Sequence, residues 1–512
     1  MKKIFTLVVF SLISINLMGQ RIVLQRPYSN TWPRRTFVRS VPIGQDENTA
    51  YLFQYIRVEE TVKPKSYTDH LYIIDKKTMN FNDIELTVSR THIVMGGLVN
   101  NNSIIALYRH ANKKGDLLSF TVATIDKQNL TVSFDEASSI STAINQHYWP
   151  DYQTAKSPDG KLLAVLTMVT GKNNQLENLH AVVVNDQGEF VWNGTISPSF
   201  NGRTFSLGDM LLDNDGTIYL PAYTCRLNGE SISDVELMMN VCTENGTDSY
   251  TEACGFGTPQ DLTAKILNDG NVAVAGYYTE STTNTASNSN GYFFYKFDTH
   301  SEAITDIQKF SFGDSYSEKD AWTRFANVLG NQQYAISADN IYELENGNLV
   351  LCGEHRFVKA TYDPMSNSYN YQFLTKNILV STLLPNGTSS FSMIEKQQIA
   401  GSLFDIKGDW APLNISYSAF VLHNDMYFLF NDDPQNIPYP GKDVLFAVHI
   451  YNYKKELESV LMKLTSDQEL TQKVLHDPEQ LLYSILFTDD EYIYTTGVGK
   501  SNLYFTKYKI EE

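Results

Sequence analysis

The chain contains little cysteine, four residues in 512, and this scarcity excludes a fold held together by many disulfides. Small exported domains that depend on such bridges carry far more cysteine for their length. Cys242 and Cys352 lie in apolar stretches, which predicts buried thiols. A bridge between Cys225 and Cys254 stays open as an alternative, because the strand pattern below places both at the same end of one repeat. It requires their Cα atoms to lie within about 7 Å of each other.

An excess of positive charge is also missing. The chain has 40 Lys and Arg against 58 Asp and Glu, a formal net charge of −18. Nucleic acids and anionic membrane surfaces are bound through basic patches, so both are excluded as partners. No HExxH, CxxC, GxSxG or phosphate-binding glycine motif occurs, and the ten histidines show no metal-ligand spacing. The sequence therefore predicts no metal, no cofactor and no catalytic residue, and the balance leans away from an enzyme.

Only one long apolar run is present, from Ile4 to Met18. Lys2 and Lys3 precede it and the small residue Gly19 follows, which is the order of a secretory signal peptide. The run is short for a membrane-spanning helix, which needs roughly 20 apolar residues. We expect residues 1–19 to be removed, leaving no membrane span. The predicted location is the periplasm or the outside of the cell.

The pattern that is present is a repeated β-hairpin. Leu211–Tyr223 (LLDNDGTIYLPAY) places an Asp-Gly reversal between two apolar strands, a strong hairpin signal. Each unit continues with two further strand-like runs, and no helical period separates them. Four short strands in each unit of about 50 residues are typical of a propeller blade. One Asx residue marks each reversal: Asp46, Asn101, Asp159, Asp215, Asp269, Asn346, Asn424 and Asp489.

The sequence thus predicts an all-β chain, a single β-propeller of four-stranded antiparallel blades. Eight blades are expected, with seven as the alternative. The last unit lacks a fourth strand, and the strand-like start of the mature chain, Arg21–Tyr28, is expected to pair with it and close the ring. The signal peptide is 1–19 and the propeller 20–512. Its blade units are approximately 33–90, 91–150, 151–205, 206–258, 259–335, 336–415, 416–480, and 481–512 together with 20–30.

The predicted connections differ in length between the two ends of the strands. The turns from first to second and from third to fourth strand are short, so they form a trimmed face. The other connections are long and form a built-up face, which is the expected binding surface because rigid scaffolds carry function on their loops. The long connections are Val58–Asp69, Ala137–Tyr152, Thr224–Asp234, Tyr278–Gly291, Ser311–Ser337, Arg356–Lys376, Gln397–Ser416 and Asp432–Lys442.

Tryptophans and nearby acids in these connections are the candidate ligand contacts. An aromatic ring supplies area and a carboxylate supplies direction for a sugar or a peptide. The alternative is that each tryptophan packs its own linker onto the blade beneath it. The candidates are Trp32, Trp149, Asp151, Asp320, Trp322, Asp409 and Trp410.

Two functions follow from this pattern. The first is a non-enzymatic scaffold that binds a protein or glycan of the cell envelope through the built-up face. The alternative is a saccharide hydrolase or lyase with acids such as Asp151, Asp320 or Asp409 at the central mouth, since paired carboxylates at about 5–10 Å hydrolyse glycosides.

Several strings resemble exported propeller-like proteins of Gram-negative bacteria, a group without an assigned activity. They are DMLLDNDGTIYLPAY, AKILNDGNVAVAGYY, AFVLHNDMYFLFNDDPQNI and VLMKLTSDQELT, after a leader ending in Gly-Gln. The likeness extends from about Ala155 onward. It implies an envelope address and a propeller, and it carries over no functional residue.

Overall fold

The computed structural model describes most of the chain and shows an all-β protein, with 35 strands and no α-helix among the described residues. The chain divides into two compact units, residues 27–411 and residues 1–26 with 412–512. The described ranges are 20–25, 36–58, 66–89, 92–111, 117–141, 152–170, 176–198, 203–229, 231–282, 289–312, 334–363, 368–396, 398–402, 416–433, 436, 448–449, 458–465, 469–475, 480–489, 491–499 and 503–510.

Strand β1 (Gln20–Gln25) belongs to the smaller unit, and the larger unit contains six antiparallel sheets, blades 1 to 6. Blade 1 is β2 (Thr36–Gln45), β3 (Thr49–Val58), β4 (Ser66–Asp75) and β5 (Phe81–Ser89). Blade 2 is β6 (Ile93–Val99), β7 (Ser103–Ala111), β8 (Leu117–Asp126) and β9 (Val132–Ser141). Blade 3 is β10 (Tyr152–Lys156), β11 (Leu162–Thr170), β12 (Leu176–Asn185) and β13 (Phe190–Ile196).

Blades 4 and 6 each contain one strand position that is split in two. Blade 4 is β14 (Thr204–Leu207) and β15 (Leu211–Leu212), both paired with β16 (Ile218–Asn228), then β17 (Ser231–Thr243) and β18 (Gly246–Ala253). Blade 5 is β19 (Thr258–Ile266), β20 (Val272–Thr279), β21 (Gly291–Asp298) and β22 (Ala303–Ser311). Blade 6 is β23 (Tyr334–Glu343), β24 (Leu349–Asp363) and β25 (Ser368–Leu383), which pairs with both β26 (Ser389–Ile394) and β27 (Gln398–Ser402).

The smaller unit contains blades 7 and 8. Blade 7 is β28 (Tyr417–Leu422), β29 (Asp425–Asp432), β31 (Glu458–Leu464) and β32 (Leu470–Leu475); the short β30 (Val448–His449) precedes β31 in sequence. Blade 8 is β33 (Gln480–Thr488), β34 (Tyr492–Gly499), β35 (Leu503–Lys509) and β1, which pairs antiparallel with β35 from Gln20 opposite Lys507 to Gln25 opposite Leu503. The predicted eight-bladed β-propeller, with the N-terminal strand completing the last blade, is confirmed.

The hydrophobic core lies between successive blades. Alternate apolar side chains of each sheet face one neighbour or the other, so blades 1 and 2 share Phe53 and Tyr108, and blades 4 and 5 share Met239 and Phe293. In the smaller unit, Leu429 and Ile493 join blades 7 and 8 in the same way. Burying both faces of a sheet explains the nearly continuous apolar strands, such as β20, in which every residue is buried.

The marker turns have the geometry that their residues predict. The Asp215 side chain accepts the Thr217 N–H at 2.9 Å, and Gly216 takes a φ of 91°, which a residue with a Cβ rarely adopts. Trp192 is buried and donates its indole N–H to the Gly216 carbonyl at 2.9 Å. In blade 2 the side chain that closes the turn is Asn100, one position before the predicted marker Asn101.

Parts of the predicted built-up loops are strands. The hairpin of β16 and β17 keeps pairing through Arg226 opposite Ser233, and that of β24 and β25 through Tyr362 opposite Tyr369. Backbone pairing therefore continues through Thr224–Asp234 and through much of Arg356–Lys376, both predicted as loops. Antiparallel strands satisfy their own backbone groups as far as they extend, so these hairpins lengthen the sheets.

Candidate functional site

The seven ligand-face candidates from the sequence all lie outside the described residues: Trp32, Trp149, Asp151, Asp320, Trp322, Asp409 and Trp410. The disulfide alternative is different, because all four cysteines are described and all are free thiols. Cys225 pairs opposite Thr204 at the edge of blade 4, whereas the Cys254 thiol donates to the Gly257 carbonyl at 3.1 Å. Cys242 and Cys352 are buried, as predicted.

The structure brings acidic side chains together elsewhere, on the first strands of blades 4 to 6. In the larger unit these first strands contact one another, as β19 and β23 do, whereas the fourth strands, such as β18, are largely exposed. The first strands are thus the inner ones. We call Asp209, Asp261, Asp339 and Glu354, with Arg356 and Lys396, the carboxylate cluster.

Irregularities in the inner strands lie at or beside three of these acids. Asp209 lies in the gap between β14 and β15, and Asp339 is the extra residue of a bulge between Ala338 and Asn340 in β23. A second bulge, between Pro259 and Asp261, interrupts β19. Bulges redirect a side chain and are common beside functional sites. Three adjacent inner strands therefore each present one acid at an interruption.

Asp209 is held from both neighbouring blades. The Gln153 carboxamide of blade 3 donates to the Gly208 carbonyl at 3.0 Å and accepts the Met210 N–H at 2.6 Å, so it spans the gap in the strand. From blade 5, the Thr263 hydroxyl donates to Asp209 Oδ2 at 2.6 Å. Asp209 is exposed to solvent, yet burial raises the pKa of its carboxyl. Protein atoms around this carboxyl disfavour its charged form.

Asp261 joins blade 5 to blade 6. Its Oδ2 accepts the backbone N–H of Ala338 at 3.0 Å, and its Oδ1 accepts that of Leu262 at 3.0 Å. Burial raises the pKa of Asp261 to about 6, and the negative charge of Asp209 acts in the same direction; the two backbone N–H groups and Arg356 oppose the rise. The Asp261 carboxyl thus changes its charge close to neutral pH.

Arg356 and Lys396 connect the remaining acids. The Arg356 guanidinium donates from Nε to Glu354 Oε2 at 3.1 Å and from Nη2 to Asp339 Oδ1 at 2.8 Å. Lys396 Nζ contacts the other oxygen of Glu354, and both of these side chains are 0% exposed. The Arg356 side chain is 49% exposed, so the ion pairs extend from the core of blade 6 to the surface.

A further cation lies on the inner strand of blade 3. Lys156 is exposed, its Nζ contacts the carbonyl of Ile43, and burial lowers its pKa to about 8. Like Asp209, it is reached by water while protein surrounds it. The inner strands of blades 3 and 4 thus each carry an ionisable group, an amine and a carboxylate, whose pKa is shifted by burial.

The sequence carried a signal for this cluster that residue-by-residue motif searching does not detect. Each of three successive units has an acid within its first strand or at a break in it, in LGDMLL, PQDLTAKI and SADNIYEL. These acids precede the turn markers Asp215, Asp269 and Asn346 by six, eight and seven residues. Equivalent positions of stacked blades lie side by side, so such a recurrence predicts a shared site.

Two further findings concern metal ions and membranes. Within the described ranges, no group of three or more His, Cys, Asp and Glu side chains is arranged to hold a metal ion. The same residues include no helix with the length and apolar character needed to cross a bilayer.

Comparison with known proteins gives similarity of structure only. No protein-family model matches the chain, and no curated protein does. Among solved structures, polysaccharide lyase Uly1 is similar over 81% of this chain and 89% of its own (10% identity, TM-score 0.37). The β-propeller domain of the Trilobed protease from Pyrococcus furiosus, which has an open velcro topology, matches over 83% and 97% (8% identity, TM-score 0.32). An α-L-arabinanase from Penicillium chrysogenum matches over 74% and 98% (9% identity, TM-score 0.32). Similarity this low transfers no activity to this chain.

Proposed function

We propose that this protein is an exported saccharide hydrolase, with Asp261 as its general acid and Asp209 as its second carboxylate. The observation that carries the proposal is the electrostatic coupling of these two acids on adjacent inner strands, where burial raises the pKa of each. Glycoside hydrolysis uses one protonated and one ionised carboxyl group, whose different environments separate their roles. The more strongly shifted Asp261 suits the acid, and the solvent-exposed Asp209 suits the base or nucleophile.

The reaction needs only these groups and water. Asp261 gives its proton to the glycosidic oxygen as the bond to the anomeric carbon breaks. Asp209 either directs a water onto that carbon or attacks it first. A separation of about 6.5–9.5 Å between the carboxyl groups accompanies attack by water, and about 5–5.5 Å accompanies direct attack by the carboxylate.

The charges of the cluster favour a neutral saccharide. Four carboxyl groups stand against the two cations Arg356 and Lys396, and both cations already contact carboxylates. Within this cluster a uronate would meet more carboxyl groups than cations, and both cluster cations are already engaged, so neither neutralises a substrate carboxylate as a lyase requires. Sugar hydroxyls, in contrast, donate hydrogen bonds to carboxylates. This places hydrolysis ahead of elimination.

Binding without catalysis, the first hypothesis from the sequence, is the second candidate. It is favoured by the two backbone hydrogen bonds to Asp261, which also give this residue a structural role between blades 5 and 6. The carboxylate cluster would then hold a glycan of the envelope without cleaving it.

The test is hydrolysis of a panel of neutral polysaccharides and aryl glycosides, measured as released reducing ends or chromophore. Asp261→Asn and Asp209→Asn should each lower kcat/KM by about 100-fold or more, the range of general acid–base catalysis. Asp269→Asn is the matched control, because Asp269 lies in an exposed turn where asparagine keeps the Asx hydrogen bond to Asn271. Glycan binding without turnover would support the scaffold instead, and unchanged activity in Asp261→Asn would exclude the proposed roles.

The pH profile follows from the two roles. Asp261 must be protonated to act as the acid, so activity should fall as pH rises through its pKa of about 6. Activity should also fall at lower pH, where Asp209 becomes protonated. Because the two groups are coupled, the two limbs report apparent values of the pair. A profile that stays flat from pH 5 to 8, from about one unit below to about two units above the pKa of Asp261, would contradict the assignment.

Export is the remaining part of the proposal, and it rests on the leader at residues 1–19. Intact-mass measurement of the protein recovered from periplasm or medium should give a chain that begins at Gln20. Retention of the leader on a cytoplasmic protein would contradict it.

A further inference from the structure

The buried ion pair of Lys396 and Glu354 is not explained by stability. Both side chains are 0% exposed. Apolar residues of similar size often serve a protein core as well as a buried ion pair does, or better, because two charges lose their hydration on burial. Retaining a pair of charges in the middle of a sheet therefore suggests that their geometry is used.

The surroundings of Lys396 fix its position. Between β26 and β27, its Nζ donates to Thr375 Oγ1 at 2.9 Å and to Gln398 Oε1 at 3.0 Å, in addition to its contact with Glu354. Thr375 also donates to Gln398 at 2.9 Å. The Lys396 ammonium thus contacts three acceptors, each in a strand, and these contacts fix its position. Glu354 is therefore held by a side chain that is itself held in place.

From Glu354 the contacts lead outward to the bulge of β23. Glu354 and Asp339 accept hydrogen bonds from two different nitrogens of Arg356, which orients the planar guanidinium. Asp339 is the bulged residue, and the N–H of the residue before it, Ala338, donates to Asp261. We call this series, Lys396–Glu354–Arg356–Asp339, the ionic relay.

We propose that the ionic relay positions the bulge of β23 so that the Ala338 N–H orients the Asp261 carboxyl group, with Lys396 as the positioning residue most distant from the site. The expected effect of the relay on catalysis rests on the proposed hydrolase function. Its expected effect on the Asp261 carboxyl group does not. The other groups acting on Asp261 are Asp209, the Leu262 N–H and the nearby Tyr223.

The double variant Glu354→Leu/Lys396→Met tests the relay, because it removes both buried charges at once. Asp261 is followed by ¹³C NMR of proteins labelled at the aspartate carboxyl carbon, and its signal is identified by its loss in Asp261→Asn. Losing the Ala338 hydrogen bond disfavours the ionised carboxyl, so the midpoint should rise by about half a pH unit or more. In the proposed reaction kcat should fall about ten-fold or more, with KM changed less.

The control is Asp425→Leu/Lys463→Met, which removes an ion pair of 2.7 Å in blade 7. It should leave the titration of Asp261 and kcat unchanged. If the first double variant does not fold, Arg356→Lys replaces it, since this half-exposed residue keeps its charge but loses the two-nitrogen fork. The same rise in midpoint is then expected.

The outcomes separate the two proposals. A folded relay variant in which Asp261 titrates as in the wild type overturns the relay. A shifted midpoint in a protein that hydrolyses no saccharide supports the relay and excludes the hydrolase. A shifted midpoint together with a lower kcat supports both.

Discussion

The buried polar residues of this protein differ in whether their polar atoms have hydrogen-bond partners. Lys396 is surrounded by acceptors, whereas neither ring nitrogen of the buried His180 has a hydrogen-bond partner among the described residues. His180 lies in β12, opposite Thr167 and Thr195. Burial lowers its pKa to about 4. The folded protein therefore keeps this imidazole neutral at pH values where the unfolded chain binds a proton.

This difference predicts an acid-sensitive stability that depends on one residue. The folded-state pKa of about 4 lies below the ordinary value of about 6.5, so stability falls as pH decreases from 6.5 towards 4. From pH 7 to pH 5 the loss due to His180 should be roughly 2 kcal/mol in the free energy of unfolding. In His180→Leu this part of the loss should disappear. Denaturant unfolding at both pH values measures it.

His300→Leu is the control, because His300 is exposed in a turn of blade 5. It should keep the wild-type dependence on pH. Equal pH dependence in His180→Leu and the wild type would show that His180 is not the responsible group.

Among the elements, the interrupted first strand of blade 4 is the one on which the site depends most. The interruption lets blade 5 approach closely: a Cβ added to Gly208 would lie 2.0 Å from Leu262 Cδ1 and 2.9 Å from the Leu262 carbonyl oxygen. Glycine is required there for space. The close contact places Asp209 beside Thr263 of the next blade.

Gly208→Ala should consequently separate blades 4 and 5 locally and lower the free energy of unfolding by about 1–3 kcal/mol, as overpacking does. Chemical denaturation measures the change. Gly194→Ala is the matched control, since nothing lies within 4 Å of a Cβ at that position in β13. It should be neutral or stabilising by roughly 0.5–1 kcal/mol. Equal effects of the two substitutions would contradict the close approach.

The elements themselves were predictable from sequence, because turn chemistry and apolar alternation are local properties. Asp215 and Gly216 specify their hairpin without help from distant residues. The carboxylate cluster is not local: Asp209, Asp261 and Asp339 come from three units, and they meet only because the blades stack.

The predicted candidates were chosen in the connections, where Trp149 and Asp151 lie outside the described residues, so that prediction stays a prediction. The outer part of the hairpin of β24 and β25, within Arg356–Lys376, was assigned to a loop because it lacks the apolar runs that mark the other strands.

At the scale of the whole molecule, the two ends of the chain meet in one sheet. Blade 8 takes three strands from the C-terminal end and β1 from the N-terminal end. Without β1, strand β35 would present an unpaired edge, which invites pairing with other molecules. The pairing of β1 with β35 therefore affects the solubility of the protein as well as its stability.

Deleting residues 20–28 tests this closure. The deletion should lower the melting temperature by about 5 °C or more and increase light scattering on heating, because it removes all the pairing between β1 and β35. Removing Glu511 and Glu512, which follow the end of β35, is the control. A deletion variant that melts and scatters like the control would contradict closure.

The same pairing has a consequence for how the protein is made. β1 is synthesised long before β35, so it has no partner strand in blade 8 until the chain between them has been made. Contacts of such high sequence separation form slowly, because the ends of a long loop must find each other. Under the proposal that the protein is exported, a chain that cannot complete its last sheet during translation stays loosely folded for longer, which suits passage through a translocon in an extended state. On that proposal, the step that completes the fold takes place on the far side of the membrane.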